Sequence, residues 1–541
     1  MGRIAILDCT LRDGGYLVNK QFSDNFMYGI INGLTDAGLE FVEIGFLQDD
    51  ISKEESTVFQ NSEMARRWIP QKRKNTLYTV LADYSRYSVS NLDIYDGKSF
   101  DAVRACFFKH ERKDVLDFSR VVIEKGYKLF IQPVDILGYQ HIELLDLIND
   151  INQIEPECFS IVDTFGSMYL DDLRTAFNII HHNLNPEIKI GFHSHNNLQM
   201  SSALSQEFLT LSQKRDVVVD ATCLGMGRGA GNTPTELIVQ YVNAKMGGAY
   251  NLDAILDVID SYMMSIKMRC SWGYDIPMFL SGCYSSHVNN VSYLLQKPSL
   301  RFADLRFILN ELNAQERRRY DFGRLEELYL EYMRSDIDDT NNIERFKAIV
   351  QGKTVLVVTP GKSVVDKKEA IEAFIERECP LVIAVNFIPT LSKTDYLYFN
   401  NLHRYDYWKR DRNFNAIGKI LTSNVMDSDS TDFVISFHRL VKTGWNNLDN
   451  SIIMLLRLLN MVDVERVALA GFDGFNPSTR NYAVTEMENN GYQDYAHTNI
   501  EIERLFTDFL KTTKINDVFF ITPSRFEYVE GVRHNDDDSY S

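Results

Sequence analysis

Eight short apolar runs alternate with helical patterns through the first half of the chain, and this alternation restricts the possible folds more than any other feature. Each run is a near-continuous stretch of apolar residues, as expected of parallel strands that are covered on both faces. Eight strand–helix units in about 245 residues match the size of a (β/α)8 TIM barrel. We therefore predict such a barrel for residues 1–250, with strands that begin at Arg3, Phe41, Leu77, Ala102, Lys128, Cys158, Ile188 and Asp216.

A second strand–helix alternation follows in the C-terminal half. Residues 251–351 have a helical pattern, and we interpret them as a helical extension and connector. Residues 352–530 alternate again, which predicts a doubly wound, Rossmann-like α/β domain. The last residues, 531–541, are polar and are predicted to form a disordered tail. The predicted strands of the second domain begin at Thr354, Pro380, Asp395, Lys419, Phe433, Arg466 and Asp517.

Charge and composition exclude several classes of function. The formal net charge is -18 over 541 residues, and an acidic chain repels nucleic acid and anionic membrane surfaces. The chain has no apolar run of about 18 residues and no leader-like segment before its first predicted strand. The seven cysteines form no CxxC pair and fit buried positions in a reducing compartment. We predict a cytoplasmic protein with no nucleic-acid partner and no membrane span.

The sharpest chemical signal is the sequence GFHSHNN at the end of the seventh predicted strand. Its histidines, His193 and His195, are two residues apart, and this spacing places both side chains on one face of a strand. Two imidazoles on one face suit a divalent transition metal. A surface or structural role is an equally good explanation of this motif when it is taken alone.

A carboxylate for the same site follows the first predicted strand, in LDCTLRDGG. In a closed eight-stranded barrel the first and seventh strands are separated only by the eighth, so Asp13 can approach the two histidines. One carboxylate and two histidines leave metal coordination positions open for substrate and water. The neighbouring Arg12 can stabilise a developing enolate oxygen. The pair alone also fits a capping turn with a surface ion pair.

A glycine-rich loop, LGMGRGAGNTPTE, follows the eighth predicted strand. Glycines let the backbone approach a ligand closely, and Asn232 in this loop is a further candidate for the metal site. A tight strand–helix turn is the alternative explanation. The three motifs lie on neighbouring strands, and their joint placement favours a metal site at the carboxyl ends of the barrel, where TIM-barrel enzymes have their active sites.

These three motifs together resemble the signature set of the DRE-TIM metallolyase superfamily, which includes 4-hydroxy-2-oxovalerate aldolases. The resemblance covers about Met1 to Gly247. It implies that Asp13, His193 and His195 bind Mn2+ or Mg2+ with Asn232 nearby, and that Arg12 stabilises the enolate of a 2-oxo acid such as pyruvate. Three further residues at strand ends are expected to contact the substrate: Glu43, Asp163 and Thr164.

Two positions depart from related patterns. Lyases of this superfamily that cleave CoA esters have a catalytic cysteine in the glycine-rich loop, where this chain has Met226. The aldolases have a histidine base shortly after the Arg-Asp pair, where this chain has Tyr16. Tyr16 is our candidate for proton transfer, although a packing role is an equal alternative. His287 is a second candidate for the base.

The second domain carries a weaker resemblance, to bacterial sialyltransferases and related Rossmann-like glycosyltransferase domains. Its sequence VVTPGKS follows a strand and precedes a helix, where backbone N–H groups can hold phosphate. The resemblance implies a nucleotide or nucleotide sugar in contact with Thr359, Gly361, Ser363 and Asn386. It also makes Asp473 a strand-end site residue and His497 a candidate acid or base. A binding or assembly domain without catalysis is the competing interpretation.

The sequence thus predicts a metal-dependent aldolase or lyase that acts on a 2-oxo acid and an aldehyde. A nucleotide-sugar-related second domain would make the protein bifunctional. A Claisen-type enzyme that condenses an acyl-CoA is one alternative. A non-catalytic scaffold that keeps a relic metal site is another. We also expect a homo-oligomer, because the helical segment 251–351 can supply a dimer surface.

Overall fold

The computed structural model divides into two compact units. The first unit contains Met1–Gln296 and Phe302–Phe322, and the second contains Lys297–Arg301 and Gly323–Ser541. The boundary therefore lies inside the segment 251–351. Of the predicted tail, residues 533–541 lie outside the described part of the chain. The structure describes residues 2–50, 57–69, 72–212, 214–297, 300, 302–333, 337–425, 431–442, 445, 450–488 and 494–532.

A closed parallel sheet is the centre of the first unit. The first strand pairs with both the last strand and the second, which closes the sheet into a barrel. Eight strands coincide with the eight apolar runs, so the predicted (β/α)8 barrel is confirmed. The two-residue β3 is an addition at the edge of β2. The strands are β1 (Ile4–Asp8), β2 (Phe41–Leu47), β3 (Val58–Phe59), β4 (Leu77–Asp83), β5 (Ala102–Phe107), β6 (Lys128–Pro133), β7 (Cys158–Asp163), β8 (Lys189–Ser194) and β9 (Val217–Ala221).

The interior of the barrel has an apolar layer and a polar layer. Residues two apart on a strand share a face. The apolar layer near the amino ends of the strands contains Phe41, Ala102, Phe130, Cys158 and Val218. Two residues further along each of these strands, the same face carries the buried polar side chains of Glu43, Arg104, Gln132, Ser160 and Asp220. The polar layer therefore lies toward the carboxyl ends, where a TIM barrel has its active site.

Helices cover the outer face of this barrel. The outward-facing strand residues and the apolar stripes of the helices form one continuous buried core, which includes Ile6, Val42, Val103 and Phe192. The helices of the first unit are α1 (Asp24–Asp36), α2 (Ser62–Arg66), α3 (Val115–Glu124), α4 (His141–Ile154), α5 (Leu170–Asn183), α6 (Ser201–Leu211), α7 (Thr235–Lys245), α8 (Leu252–Val258), α9 (Met264–Lys267), α10 (Ile276–Cys283), α11 (Val288–Leu295), α12 (Phe302–Glu311) and α13 (Ala314–Arg318).

An open parallel sheet is the centre of the second unit. Its strand order is β14-β13-β12-β11-β10-β15-β16, so the chain runs outward from β10 to one edge and then returns to the other side of β10. This order confirms the predicted α/β sheet, and all seven predicted strands are present. They are β10 (Thr354–Val358), β11 (Leu381–Val385), β12 (Tyr396–Phe399), β13 (Gly418–Thr422), β14 (Phe433–Ile435), β15 (Arg466–Ala470) and β16 (Asp517–Phe520).

The helices of the second unit alternate with strands that are mostly buried, as expected of a parallel sheet packed against helices. The most apolar of them, α20, buries seven of its residues. The helices are α14 (Phe322–Met333), α15 (Thr340–Val350), α16 (Ser363–Asp366), α17 (Lys368–Glu378), α18 (Leu402–Trp408), α19 (Phe437–Leu440), α20 (Ser451–Met461) and α21 (Tyr495–Thr512). Across the described residues of both units, no helix is long and apolar enough to cross a membrane.

Candidate active site

Asp13, His193 and His195 meet at the carboxyl end of the barrel. Their ligand atoms lie within 4.8 Å of one another. The barrel order explains this meeting, because β9 alone separates β1 from β8. Asp13 Oδ2 lies 3.4 Å from His193 Nε2 and 3.3 Å from His195 Nε2. Side chains from opposite ends of the domain sequence thus form one compact cluster of oxygen and nitrogen donors.

Hydrogen bonds at the far side of each ring orient both imidazoles for metal binding. His193 Nδ1 lies 3.0 Å from Asp220 Oδ2, and His195 Nδ1 lies 3.1 Å from the carbonyl oxygen of Asp163. Both partners are acceptors, so each Nδ1 carries a proton, and the neutral form of each ring offers the lone pair of Nε2. A metal-binding histidine usually has such an outer partner. Both Nε2 atoms face Asp13, so all three donors point to the same place.

Two buried oxygen atoms of the residues predicted for the metal site lack hydrogen-bond partners among the described residues. They are Asp13 Oδ2 and Asn232 Oδ1. Buried polar atoms are normally paired, and a carboxylate oxygen without a hydrogen-bond partner, facing two imidazole nitrogens, is a donor set that suits a divalent cation. The residues present therefore fit the predicted divalent metal.

A second group, Cys9, His193 and Asp220, is also close enough to share a cation. Burial raises the pKa of the Cys9 thiol well above its usual range, which disfavours the thiolate that metals bind. Asp220 is already bound to Arg104 and to His193. We therefore describe the second group as a set of side chains that holds His193 in position for the first group.

Ion pairs between buried side chains hold the residues beneath the metal cluster in place. Arg12 Nε donates to Glu43 Oε2 at 2.7 Å, and Arg104 Nη1 donates to the same oxygen at 3.0 Å. Arg104 also donates through its second amino group to Asp220. A continuous series of ion pairs thus connects Arg12 to His193 through side chains that are at least nine-tenths buried.

This series of ion pairs positions Arg12 beside the metal cluster. Its Nη1 atom lies 3.5 Å from Asp13 Oδ1. Burial opposes ionisation of Asp13, but Arg12 and the two imidazoles outweigh it and hold the pKa of this carboxyl well below its usual range. The site therefore offers a carboxylate, two imidazoles and one guanidinium in a space from which water is largely excluded.

Comparison with known proteins agrees with this geometry. A family model described as HMGL-like matches residues 96–261. The chain is 25% identical to an oxaloacetate decarboxylase of Mycobacterium tuberculosis over 286 residues, which covers 50% of this chain and 79% of that protein. It is 26% identical to the 4-hydroxy-2-oxovalerate aldolase of Moorella thermoacetica over 323 residues, which covers 58% of this chain and 91% of the aldolase.

The N-terminal half of the chain is an HMGL-like domain. The predicted DRE-TIM resemblance is thereby confirmed for this half, together with the predicted class of enzyme, a metal-dependent carbon–carbon lyase. The resemblance of the C-terminal half to sialyltransferases has no counterpart in these findings and stays a prediction.

The glycine-rich loop of the HMGL-like domain brings the backbone of Asn232 beside that of His195, with which it forms an isolated β-bridge. A Cβ atom on Gly227 would lie 2.1 Å from Asn232 Nδ2, so a larger residue there would push the amide away. Asn232 Nδ2 donates to the carbonyl oxygen of Met226 at 3.2 Å, which leaves Oδ1 as the free end. Met226 itself is fully buried and packs against Gly14, in the region where the CoA-ester lyases have their cysteine.

Tyr16 lies at the edge of the same site. Its ring packs edge-on against Phe46, at 5.2 Å between centroids, and beneath the guanidinium of Arg228 at 4.9 Å. Burial raises the pKa of Tyr16 to about 12, with Arg12 acting in the opposite direction. The phenol therefore keeps its proton at neutral pH, which suits a proton donor in the direction of bond formation.

The other predicted residues of the barrel occupy supporting positions. Glu43 contacts two arginines, as described above. Asp163 accepts from the backbone N–H of Ser167 at 2.9 Å, and burial raises its pKa to about 6. Thr164 accepts from the backbone N–H of Asp135 at 2.7 Å. Contact of Glu43, Asp163 and Thr164 with a substrate stays a prediction.

His287 begins α11 and is held by local contacts. Its Nδ1 accepts from the backbone N–H of Asn289 at 3.1 Å, and its ring packs on Tyr320 at 4.9 Å. Burial lowers the pKa of His287 to about 4, and Arg228 acts in the same direction. A histidine with this pKa is neutral at pH 7 but is a weak base.

Four of the six residues predicted for the second unit line one crevice of about 270 Å3. They are Thr359, Gly361, Asn386 and Asp473. Ser363 lies beside them and donates its backbone N–H to Asp473 Oδ2 at 2.8 Å. His497 is exposed in the first turn of α21 and is not among the residues that line the crevice.

Two residues that matter to the metal site were missed by sequence reasoning. Arg104 and Asp220 each stand in the middle of an apolar run, in AVRACF and VVVDA. A charge at such a position was the available signal, because a parallel strand covered on both faces has no solvated side on which to place it. Their pairing across 116 residues is a property of the closed barrel.

Proposed function

We propose that the HMGL-like domain forms or cleaves a carbon–carbon bond next to the carbonyl group of a 2-oxo acid, through the enolate of that acid. The observation that supports this most is the buried cluster of Asp13, His193 and His195 with Arg12 beside it. A divalent cation held there would act as a Lewis acid toward the oxygens of the 2-oxo acid. Mn2+ and Mg2+ are the expected ions.

The protein's own groups have separate tasks in this proposal. Arg12 is held by Glu43 through Nε, so its guanidinium can stabilise negative charge that develops on the enolate oxygen without reorganising. Tyr16 keeps its proton at neutral pH and donates it to the oxygen of the aldehyde as the bond forms. In the direction of cleavage, which is the reverse of this step, the hydroxyl group of the substrate returns its proton to the phenolate form of Tyr16.

The relatives suggest two reactions that share the same enolate. The aldolases among them are named for 4-hydroxy-2-oxovalerate, and the decarboxylase for oxaloacetate. Both compounds release pyruvate on cleavage, so coupled reduction of pyruvate by lactate dehydrogenase measures either reaction. We expect Mn2+-dependent pyruvate release from at least one of them. Release of free CoA from an acyl-CoA and a 2-oxo acid, without aldol cleavage, would favour the Claisen alternative. Bound metal with no turnover would favour a scaffold.

We predict that Tyr16→Phe slows cleavage of the preferred substrate about a hundredfold, which is typical for loss of a general acid or base. Tyr274→Phe is the matched control, because Tyr274 is exposed in the same unit. The ratio of kcat values from the pyruvate assay decides the matter. Equal kcat values for the two variants would leave Tyr16 with a packing role only.

We also propose that the second unit binds a nucleotide or nucleotide sugar in the crevice at the carboxyl ends of β10, β11 and β15. The chain reverses its direction of winding between β10 and β15, and open α/β sheets bind ligands at such switch points. Asn386 is nine-tenths buried there, and its Oδ1 has no partner among the described residues. Both units would then bind small molecules, and the protein would be bifunctional.

The walls of this crevice suit a nucleotide. Phe475, which stacks on Tyr495 through one face, and Tyr482 line the crevice, and stacking of a base on an aromatic ring is favourable for every base. Arg404, whose guanidinium lies 5.5 Å from the Tyr482 ring, offers a cation for phosphate. Asn386 Nδ2 donates to Asn400 at 2.9 Å, so Oδ1 is the end that remains for a ligand hydroxyl or amine.

We predict that Asn386→Gly weakens binding of nucleoside monophosphates at least tenfold. Asn386 has a φ of +59°, and glycine accepts this conformation without strain, so the change removes the amide alone. Titration calorimetry with AMP, CMP, GMP and UMP measures the effect, with the exposed Asn413→Ala as control. Absence of binding to the natural sequence, or equal affinity of the Asn386→Gly variant, would refute the proposal.

A further inference from the structure

We infer that the barrel carries a phosphate-binding pocket beside the metal cluster, and that this pocket recognises a phosphate group on the second substrate. The inference rests on the proposed lyase function, because it names the class of the aldehyde. The pocket has a volume of about 500 Å3 and lies entirely within the first unit. Its walls come from the segments after β5 and β6, from Phe165 after β7, and from the end of α13.

The charge of this pocket is opposite to that of the whole chain. Five lysine and arginine side chains line it, against the two carboxylates of Asp135 and Glu143, in a chain with a net charge of -18. The five are Lys109, Arg112, Lys113, Arg318 and Arg319. A concentration of cations in an acidic protein focuses the local potential on an anion.

Both carboxylates of the pocket already have partners. Glu143 is bound to Lys109 and also accepts the backbone N–H of Gln140 at 2.7 Å. Asp135 is bound to Arg318 at 2.6 Å. The acidic groups therefore neutralise Lys109 and Arg318. Lys113 is paired with Asp150 outside the pocket, at 2.7 Å, which leaves Arg112 and Arg319 for a ligand.

Arg112 and Arg319 are the cations that are least engaged. Arg112 Nη1 makes one long contact, of 3.3 Å, with the carbonyl oxygen of Glu143. The guanidinium of Arg319 has no hydrogen-bond or ion-pair partner in the described part of the chain, and it is exposed at the rim of the pocket. Guanidinium groups match the geometry of phosphate and carboxylate oxygens.

The pocket adjoins the metal cluster through one hydrogen-bonded connection. The backbone N–H of Asp135, in the wall of the pocket, donates to Thr164 Oγ1 at 2.7 Å. Thr164 follows Asp163, whose carbonyl oxygen orients the ring of His195. An anion in the pocket would thus lie on the same face of the barrel as the metal site. A volume of about 500 Å3 exceeds the needs of a single carboxylate and accommodates a phosphate ester.

The test compares the complete protein with the double variant Arg112→Gln/Arg319→Gln. Titration calorimetry with inorganic phosphate, and with acetate in parallel, measures anion binding without any turnover. We expect phosphate to bind the natural sequence and acetate to bind at least tenfold more weakly. The double variant is expected to lose at least tenfold in phosphate affinity. The single variant Arg319→Gln removes a guanidinium that has no described partner. A loss of phosphate affinity in this variant is therefore not explained by misfolding of the protein. Arg120→Gln, an exposed arginine of α3, is the control.

A second measurement assigns the anion to the second substrate. With pyruvate as donor, we expect kcat/KM for glycolaldehyde phosphate to exceed that for glycolaldehyde at least tenfold, and this ratio to fall in the double variant. Absence of phosphate binding, or equal binding by the double variant, overturns the inference whether or not the barrel is a lyase. Phosphate binding without any preference between the two aldehydes overturns the assignment to the second substrate. Failure of both aldehydes to react, with phosphate still bound, counts against the proposed function and not against the pocket.

Discussion

Replacing Asp13 by asparagine is expected to abolish both metal binding and carbon–carbon bond chemistry in the barrel. Asp13 is the one carboxylate of the cluster, and its Oδ2 faces both histidine Nε2 atoms. Loss of an outer partner of a metal ligand lowers affinity or activity about 10- to 100-fold, so loss of a ligand itself is expected to exceed that range. Lewis-acid stabilisation amounts to several kcal/mol, and its loss corresponds to a decrease in rate of about a thousandfold.

Titration of the metal-free protein with Mn2+ measures the first effect, and the pyruvate-release assay measures the second. Asp257→Asn is the matched control, because Asp257 is exposed on α8 of the same unit. We expect the control to retain the metal affinity and the turnover of the natural sequence. An Asp13→Asn variant that binds Mn2+ as tightly as the control would mean that the metal lies elsewhere.

Replacing Arg104 by methionine is expected to destabilise the first unit by about 3–5 kcal/mol, the effect of breaking a buried ion pair by removal of one partner. Arg104 is fully buried and contacts both Glu43 and Asp220. Methionine fills much of its volume but leaves two buried carboxylates with one cationic partner fewer. The variant is also expected to lose metal affinity, because Asp220 orients His193.

Scanning calorimetry of the metal-free protein measures this effect as a shift in the unfolding transition of the first unit. Arg120→Met removes an exposed arginine that pairs within its own helix, and surface changes of this kind stay within about 0.5 kcal/mol. Equal transition temperatures for the two variants would show that the buried charges are neutralised in another way.

The strands and the metal cluster were predictable because both have local signals in the sequence. Buried parallel strands appear as apolar runs, and the spacing of His193 and His195 puts two imidazoles on one face of a strand. Asp13 could be added because the closure of an eight-stranded barrel fixes which strands are neighbours. The predicted topology therefore indicated, from the sequence alone, that the separate motifs belong to one site.

Contacts between distant segments had no such signal. Arg104 pairs with Asp220, 116 residues away, and a single sequence contains nothing that couples two positions at this distance. His287 is a similar case, because its ring packs on Tyr320 from a later segment. The basic pocket joins loops after β5 and β6 to the end of α13, so its charge becomes visible only when the chain is folded.

Exchange of the methyl protons of pyruvate with solvent tests the central claim most directly, because it reports enolate formation without knowledge of the aldehyde. Proton NMR in D2O follows the loss of the methyl signal with metal-free protein, with protein reconstituted with Mg2+, and with His193→Ala and the exposed control His182→Ala. The account predicts exchange that requires Mg2+, disappears in His193→Ala and persists in His182→Ala. Absence of exchange in the metal-bound natural sequence, or an undiminished rate in His193→Ala, would contradict it.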